Sequence, residues 1–337
     1  MKKKYLFFLI FTLFLFSIVN AKEIKKEDLW RYDFEEAIKF ALNDENLSKI
    51  SNLAGNLKGS NIQESIWNIL KWEEENIEYD LHKANIPQPI LSIWNTGKIE
   101  VVQGEDNTFQ TPYETIQRKK GICGDYALLS AGLLLKMGYS PVYILNIEFQ
   151  NDPVEHTVAG MIINGWFFIL DQFPPAMDSG TFYRHWKDEE GEIIKDLTLY
   201  EINRKAKFEI VKYKMSIEDF KNIDYEYTYD DLEVISSYLM KTFKDNFPNL
   251  IIDERISSLD KSTYLPKGYK GGKIWSFEFP EFLDYYNPIF HFQFIDELYD
   301  YILEDREILL DLKNFRSFFI RAEMMGNGIK IVLNLAY

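Results

Sequence analysis

The chain reads as an α+β protein in which a buried helix packs on an antiparallel sheet, with a smaller α+β unit toward the C-terminus. Three observations predict it. Apolar residues at helical spacing dominate the first 140 positions, and the stretch from Cys123 to Met137 is apolar nearly all round. Alternating apolar runs follow and meet across Asn164-Gly165. A helix apolar on every side is surrounded by protein. Two apolar runs joined by Asn-Gly form a hairpin, because that pair accepts the positive φ angles of a two-residue turn. Helices first and antiparallel strands second define the class.

Each element has its own signal. Residues 1–21 place Lys2, Lys3 and Lys4 before an apolar run from Tyr5 to Val19, which ends in Val19-Asn20-Ala21. This is the order of a secretory signal cleaved before Lys22. The run is shorter than the ~20 residues of a spanning helix; an uncleaved anchor is the alternative. From Lys26 to about Leu57 the sequence is helical and polar, giving a helical N-terminal extension over 22–59. Asn61-Ile62-Gln63-Glu64 resembles a capping box, and Ile62, Ile66, Ile69, Leu70 and Ile77 continue at helical spacing to an end near Tyr79-Asp80. Pro87, Pro89, Gly97 and Gly104 make 86–110 a long loop.

Thr111-Pro112-Tyr113-Glu114 starts a short helix, with Thr as cap and Pro in the first turn. The next helix begins around Cys123 and is stopped by Gly138. Strands follow at Pro141–Leu145, His156–Ile163 and Trp166–Asp171, and Leu197–Ile202 and Phe208–Tyr213 extend the sheet. A boundary near Met215 separates a domain over 60–215 from a C-terminal unit over 216–337. The latter holds amphipathic helices at 229–245 and 292–313, then a hairpin from Ser317–Met325 to Ile329–Leu335 through Gly326-Asn327-Gly328. No chemistry-bearing pattern is found in this unit.

Composition bounds the function. With 46% apolar and 16% aromatic residues in 337, the chain buries a sizeable core. The formal charge is 38 − 53 = −15, or 35 − 53 = −18 without the three leader lysines. So acidic a surface repels phosphate backbones, which excludes nucleic acid as a partner. No later stretch is long and apolar enough to span a membrane. His82, His185 and His291 have no partners at ligand spacing, so neither a metal nor another cofactor is expected.

Cys123 is the only cysteine, so no intramolecular disulfide can form. A lone cysteine in an exported chain pairs with another molecule, is a reactive thiol, or is a buried small residue. It stands at the first turn of a buried helix, where unpaired amide hydrogens and the positive end of the dipole favour a thiolate. Closing the Asn164-Gly165 hairpin as a two-residue loop makes opposed residues sum to 329, which sets Val158 across from Asp171. Side chains alternate, so His156 shares a face with Val158 and becomes the diagonal neighbour of Asp171, about 7 Å away at the backbone. An imidazole oriented by a carboxylate and an activated sulfur are the parts of covalent catalysis. Asp125, in the first helical turn, reads as a carboxylate stabilising the helix start.

The string Arg118-Lys-Lys-Gly121-Ile-Cys123-Gly-Asp125-Tyr126-Ala127, the strand opening at His156 and Asn164-Gly-Trp166-Phe-Phe-Ile-Leu-Asp171 resemble the transglutaminase-like superfamily over roughly residues 60–175. The resemblance implies a papain-like core in which Cys123 is the nucleophile, His156 the general acid and base, and Asp171 the orienting group. Members often add an aromatic or amide side chain that holds the oxyanion. Trp94, Gln103, Gln110, Gln117 and the Cys123 backbone amide are candidates here, and the sequence selects none. The expected function is an exported, cysteine-dependent acyl-transfer enzyme, a peptidase or amidase acting on a protein, peptide or other amide through a thioester. The alternative is a non-catalytic binding or surface-assembly module that keeps the fold.

Overall fold

The computed structural model describes residues 21–151, 154–204, 207–259 and 265–337, so the leader up to Asn20 lies outside the described residues. After it come strand β1 (Lys22–Ile24), a 3-10 turn and three short helices at Phe34–Ala41, Asp44–Lys49 and Ser51–Leu57. The extension is helical as expected, apart from β1. It is less polar in effect than in composition, since Ala37, Ile38, Ala41 and Leu42 are completely buried. The helix Ile62–Asn76 opens with the Asn61 side chain accepting from the Glu64 amide. Glu64 turns back to Ser60, taking both its amide and its hydroxyl.

Strand β2 (Glu78–Tyr79) ends that helix. The segment 86–110, expected as a loop, contains a hairpin of β3 (Ile90–Ile93) and β4 (Ile99–Gln103), with β4 central between β1 and β3. Its signal is the alternation that buries Ile99 and Val101. Gly97, at φ 83°, supplies the tight turn rather than a break.

Helix Pro112–Arg118 carries a full Thr111–Glu114 capping box. Strand β5 (Lys120–Gly121) pairs in parallel with β2 and leads into helix Cys123–Met137. This helix is buried at every position except Cys123 and Lys136. Burying side chains such as Leu128, Leu129, Leu133 and Leu134 stabilises the fold by roughly 1.5–3 kcal/mol each.

The main sheet is built from β6 (Val142–Phe149), β7 (His156–Ile163), β8 (Trp166–Leu170), β9 (Met177–Asp178), β10 (Ile194–Asn203) and β11 (Glu209–Lys214), in the order β11-β10-β6-β7-β8-β9. Its neighbours are antiparallel throughout. The period of two is visible in the packing. Val142, Ile144, Ala159, Met161, Phe168 and Leu170 join the cluster around the buried helix. Tyr143, Leu145, Ile147, Val158, Phe167 and Ile169 join a second cluster on the opposite face.

Past Met215, the helices Tyr229–Asn246 and His291–Leu303 accompany a four-stranded sheet. Its strands are β12 (Ile251–Ile252), β13 (Gly272–Phe279), β14 (Ser317–Met325) and β15 (Gly328–Ala336), in the order β12-β14-β15-β13. One apolar cluster runs from Ala37 through the buried helix to Leu335. Trp67 Nε1 donates to Glu297 Oε1 at 3.0 Å, and the rings of Phe168 and Phe290 stand 4.9 Å apart. Among the described residues no helix is long and apolar enough to cross a membrane.

Candidate active site

The start of the Cys123 helix is closed by a carboxylate. Ile122 is its N-cap but has no side-chain acceptor, so Asp125 folds back to take the Ile122 amide hydrogen at 3.0 Å. Asp125 is fully buried and receives three more donors: Lys83 Nζ at 2.5 Å, the Gln110 amide at 2.9 Å and Gln110 Nε2 at 2.9 Å. Gly121 makes room for this return, since a Cβ there would meet Asp125 Cβ at 2.9 Å. Cys123 is left partly exposed at the rim of a buried helix.

The hairpin has the expected register. Asn164 and Gly165 both have positive φ, 53° and 85°, and the pairs Ile163–Trp166 through Ala159–Leu170 all sum to 329. His156 and Asp171 lie at the open end of that ladder, and His156 Nε2 is 2.8 Å from Asp171 Oδ2. Asp171 Oδ1 accepts from Gln172 Nε2 at 3.2 Å. With Nε2 on Asp171, Nδ1 is the ring nitrogen left free of that contact, and Cys123 lies near enough for its charge to act on the imidazole. Burial alone would lower the imidazole pKa, but the Asp171 carboxylate and Cys123 together outweigh it and raise it to about 10. The structure therefore brings all three sequence-derived residues together.

Other groups at the site were not found by sequence reasoning. The Trp186 ring lies 5.0 Å from the His156 ring and 4.5 Å from Phe149, on a π-helical turn over His185–Glu189. Tyr79 adjoins Cys123; burial first, then the charges of Cys123 and Asp171, push its pKa up to about 12. Glu73 is fully buried, with Oε1 taking the Ser130 hydroxyl at 2.7 Å and Oε2 unpartnered. Burial raises its pKa well above the ordinary value, and Asp171 adds to the rise. Only Tyr79 had a local signal, since it adjoins the end of the helix before the loop.

The amide and indole candidates for holding an oxyanion are engaged elsewhere or exposed. Gln110 Nε2 serves Asp125 and the Lys120 carbonyl, Trp94 Nε1 donates to Glu100 at 2.7 Å, and Gln103 Nε2 reaches the Gln88 carbonyl at 3.4 Å. Gln117 is exposed. Among the described residues no group of histidine, cysteine and carboxylate side chains is arranged to hold a metal ion.

Comparison with known proteins agrees with this architecture. A family model described as a transglutaminase-like domain matches residues 48–200. A UPF0252 protein of Archaeoglobus fulgidus is 32% identical over 335 residues, covering 97% of this chain and 98% of that one. A second, from Pyrococcus furiosus, is 30% identical and covers 90% of this chain and 85% of that one. Among solved structures, EGTA-treated LapG of Legionella pneumophila is 15% identical over 57% of this chain and 95% of that one, with a TM-score of 0.31. The chain belongs to the UPF0252 family, and its α+β core is a transglutaminase-like domain.

Proposed function

We propose that the protein is a cysteine-dependent acyl-transfer enzyme, working as a peptidase or amidase through Cys123, His156 and Asp171. The reading is supported above all by the 2.8 Å contact of His156 with Asp171, made by an imidazole that feels the charge of Cys123 and whose pKa is raised to about 10. The Cys123 thiolate attacks an amide carbonyl carbon. His156 gives its proton to the departing amine nitrogen as the C–N bond breaks, and a thioester remains. Water then attacks the thioester while His156 takes one of its protons, which releases a carboxylic acid and regenerates the pair. Hydrolysis is favoured over transfer to a second amine because water is always present, whereas an amine acceptor needs a dedicated pocket. The Cys123 amide, at the positive end of the helix, is suited to the developing oxyanion.

The test is the rate of alkylation by iodoacetamide across pH, read at the single cysteine. Rapid labelling at neutral pH that disappears in His156→Ala is the expected result. Labelling that follows an ordinary thiol titration, unchanged in His156→Ala, would overturn the enzyme reading. The same proposal includes export through the leader at 1–21, for which the expected product is a mature chain beginning at Lys22 by N-terminal sequencing.

A further inference from the structure

A cavity of ≈ 180 Å³ opens directly beside Cys123. At about 30 Å³ per water it would hold roughly six, enough for one extended side chain. Its floor comes from the main sheet, where Thr157, Asn146 and Tyr200 lie on β7, β6 and β10. Its roof comes from Tyr32, Phe34 and Phe109, together with the turn at Gln88-Pro89. The N-terminal extension and the segment 86–110 thus build one wall of this space.

The charge in the cavity is of one sign. Among the described residues Glu155 is the only acidic or basic side chain in its lining, and its Oε2 takes a hydrogen bond from Asn146 Nδ2 at 2.6 Å. Thr157 Oγ1 donates in turn to Asn146 Oδ1 at 3.1 Å, which fixes the amide and so the carboxylate. The cations nearby are already neutralised. Lys214, which feels Glu155, sits 2.5 Å from Asp196; Lys22 sits 3.2 Å from Glu105; and Lys212, 5.2 Å from the centre of the Tyr200 ring, sits 3.8 Å from Glu35. Aromatic faces and a carboxylate that forms no ion pair among the described residues are complementary to a cation. The chain's net charge of −15 favours the approach of the same ligand.

From this juxtaposition we infer that the cavity is a specificity subsite for a lysine or arginine side chain flanking the amide that Cys123 attacks. Glu155 determines specificity at its mouth, and the stem of the side chain lies along Tyr32 and Phe34. This rests on the cysteine chemistry proposed above and adds the class of substrate.

The test uses Cys123 as the reporter and requires no known substrate. The full-length protein is treated with 2-aminoethyl methanethiosulfonate and with its neutral isostere, propyl methanethiosulfonate, each rate being normalised to that reagent's rate with a free thiol. The cationic reagent is expected to react faster by about fivefold, the usual scale of a partly exposed ion pair. That preference should vanish in Glu155→Gln and persist in Glu254→Gln, an exposed carboxylate whose loss changes net charge equally. It should also shrink at about 1 M salt, where screening acts over about 3 Å. Equal normalised rates in the wild type, or a preference that survives Glu155→Gln, would overturn the subsite while leaving the cysteine chemistry in place. A Cys123 slow toward both reagents and toward iodoacetamide would overturn the function, and the subsite with it.

Discussion

Asp125→Ala strips the start of the Cys123 helix of its acceptor and leaves a buried ammonium behind. Asp125 is 0% exposed and Lys83 7%, so neither can turn to water. Breaking a buried pair by removing one partner costs about 3–5 kcal/mol. With an unfolding entropy of about 2.1 cal/mol/K per residue over 337 residues, near 0.7 kcal/mol/K, the melting temperature should fall by about 4–7 °C. Scanning calorimetry reads this directly. The cycle with Lys83→Met gives the sharper result: that change should be strongly destabilising alone and nearly neutral, or stabilising, when Asp125 is already Ala. A fall below about 1 °C for Asp125→Ala, or a Lys83→Met cost that is the same in both backgrounds, would refute the reasoning.

Other expectations follow from the same geometry. His156 has a folded pKa of about 10, above the ~6.5 of an unfolded chain, so its stabilisation is fully present below ~6.5 and is lost as pH rises through about 10. Asp171→Asn should move that loss to lower pH, as followed by thermal melts across the window or by the imidazole proton resonances. Glu73 is an acid whose folded pKa is raised by burial, so it stabilises only below the unfolded carboxylate range and costs stability as pH rises. Glu73→Gln should therefore melt higher than wild type at neutral pH, the two converging near pH 4. Gly180→Ala would set a Cβ 2.3 Å from Asp224 Cβ and 2.8 Å from the Ile223 carbonyl oxygen. Overpacking of this kind costs about 1–3 kcal/mol, and here it pushes away the turn that carries the Arg184–Asp224 ion pair; urea denaturation would read the loss.

What could be read from sequence was whatever local periodicity encodes. The hairpin register follows from alternation and one Asn-Gly pair, and with it the meeting of His156 and Asp171. The all-apolar helix announces its own burial. The support for Asp125 does not: Lys83 lies 42 residues away and Gln110 15, and no periodic pattern marks either. Trp186 reaches His156 through a π-helical turn, a spacing that neither the helical nor the strand template detects. Pro87, Pro89 and Gly104 mask the β3–β4 hairpin with the composition of a loop, whereas Ile99 and Val101 alternate into the core. The continuity of the apolar cluster past Met215 is tertiary, made by contacts such as Phe168 with Phe290, and composition carries no trace of it.

The short reach of the β7–β8 hairpin has a consequence in time. His156 and Asp171 are 15 residues apart and are joined by the tightest turn in the sheet. Hairpins of this kind close in about 1–10 μs. Seating the Cys123 helix beside them awaits contacts of longer range, such as Lys83 with Asp125 at 42 residues, and loop closure delays those. The acid–base pair should thus be assembled before the sulfur arrives, and a refolding chain should pass through a stage in which the thiol is present but unactivated. Alkylation pulses applied during refolding would register that order as a burst of reactivity that appears last.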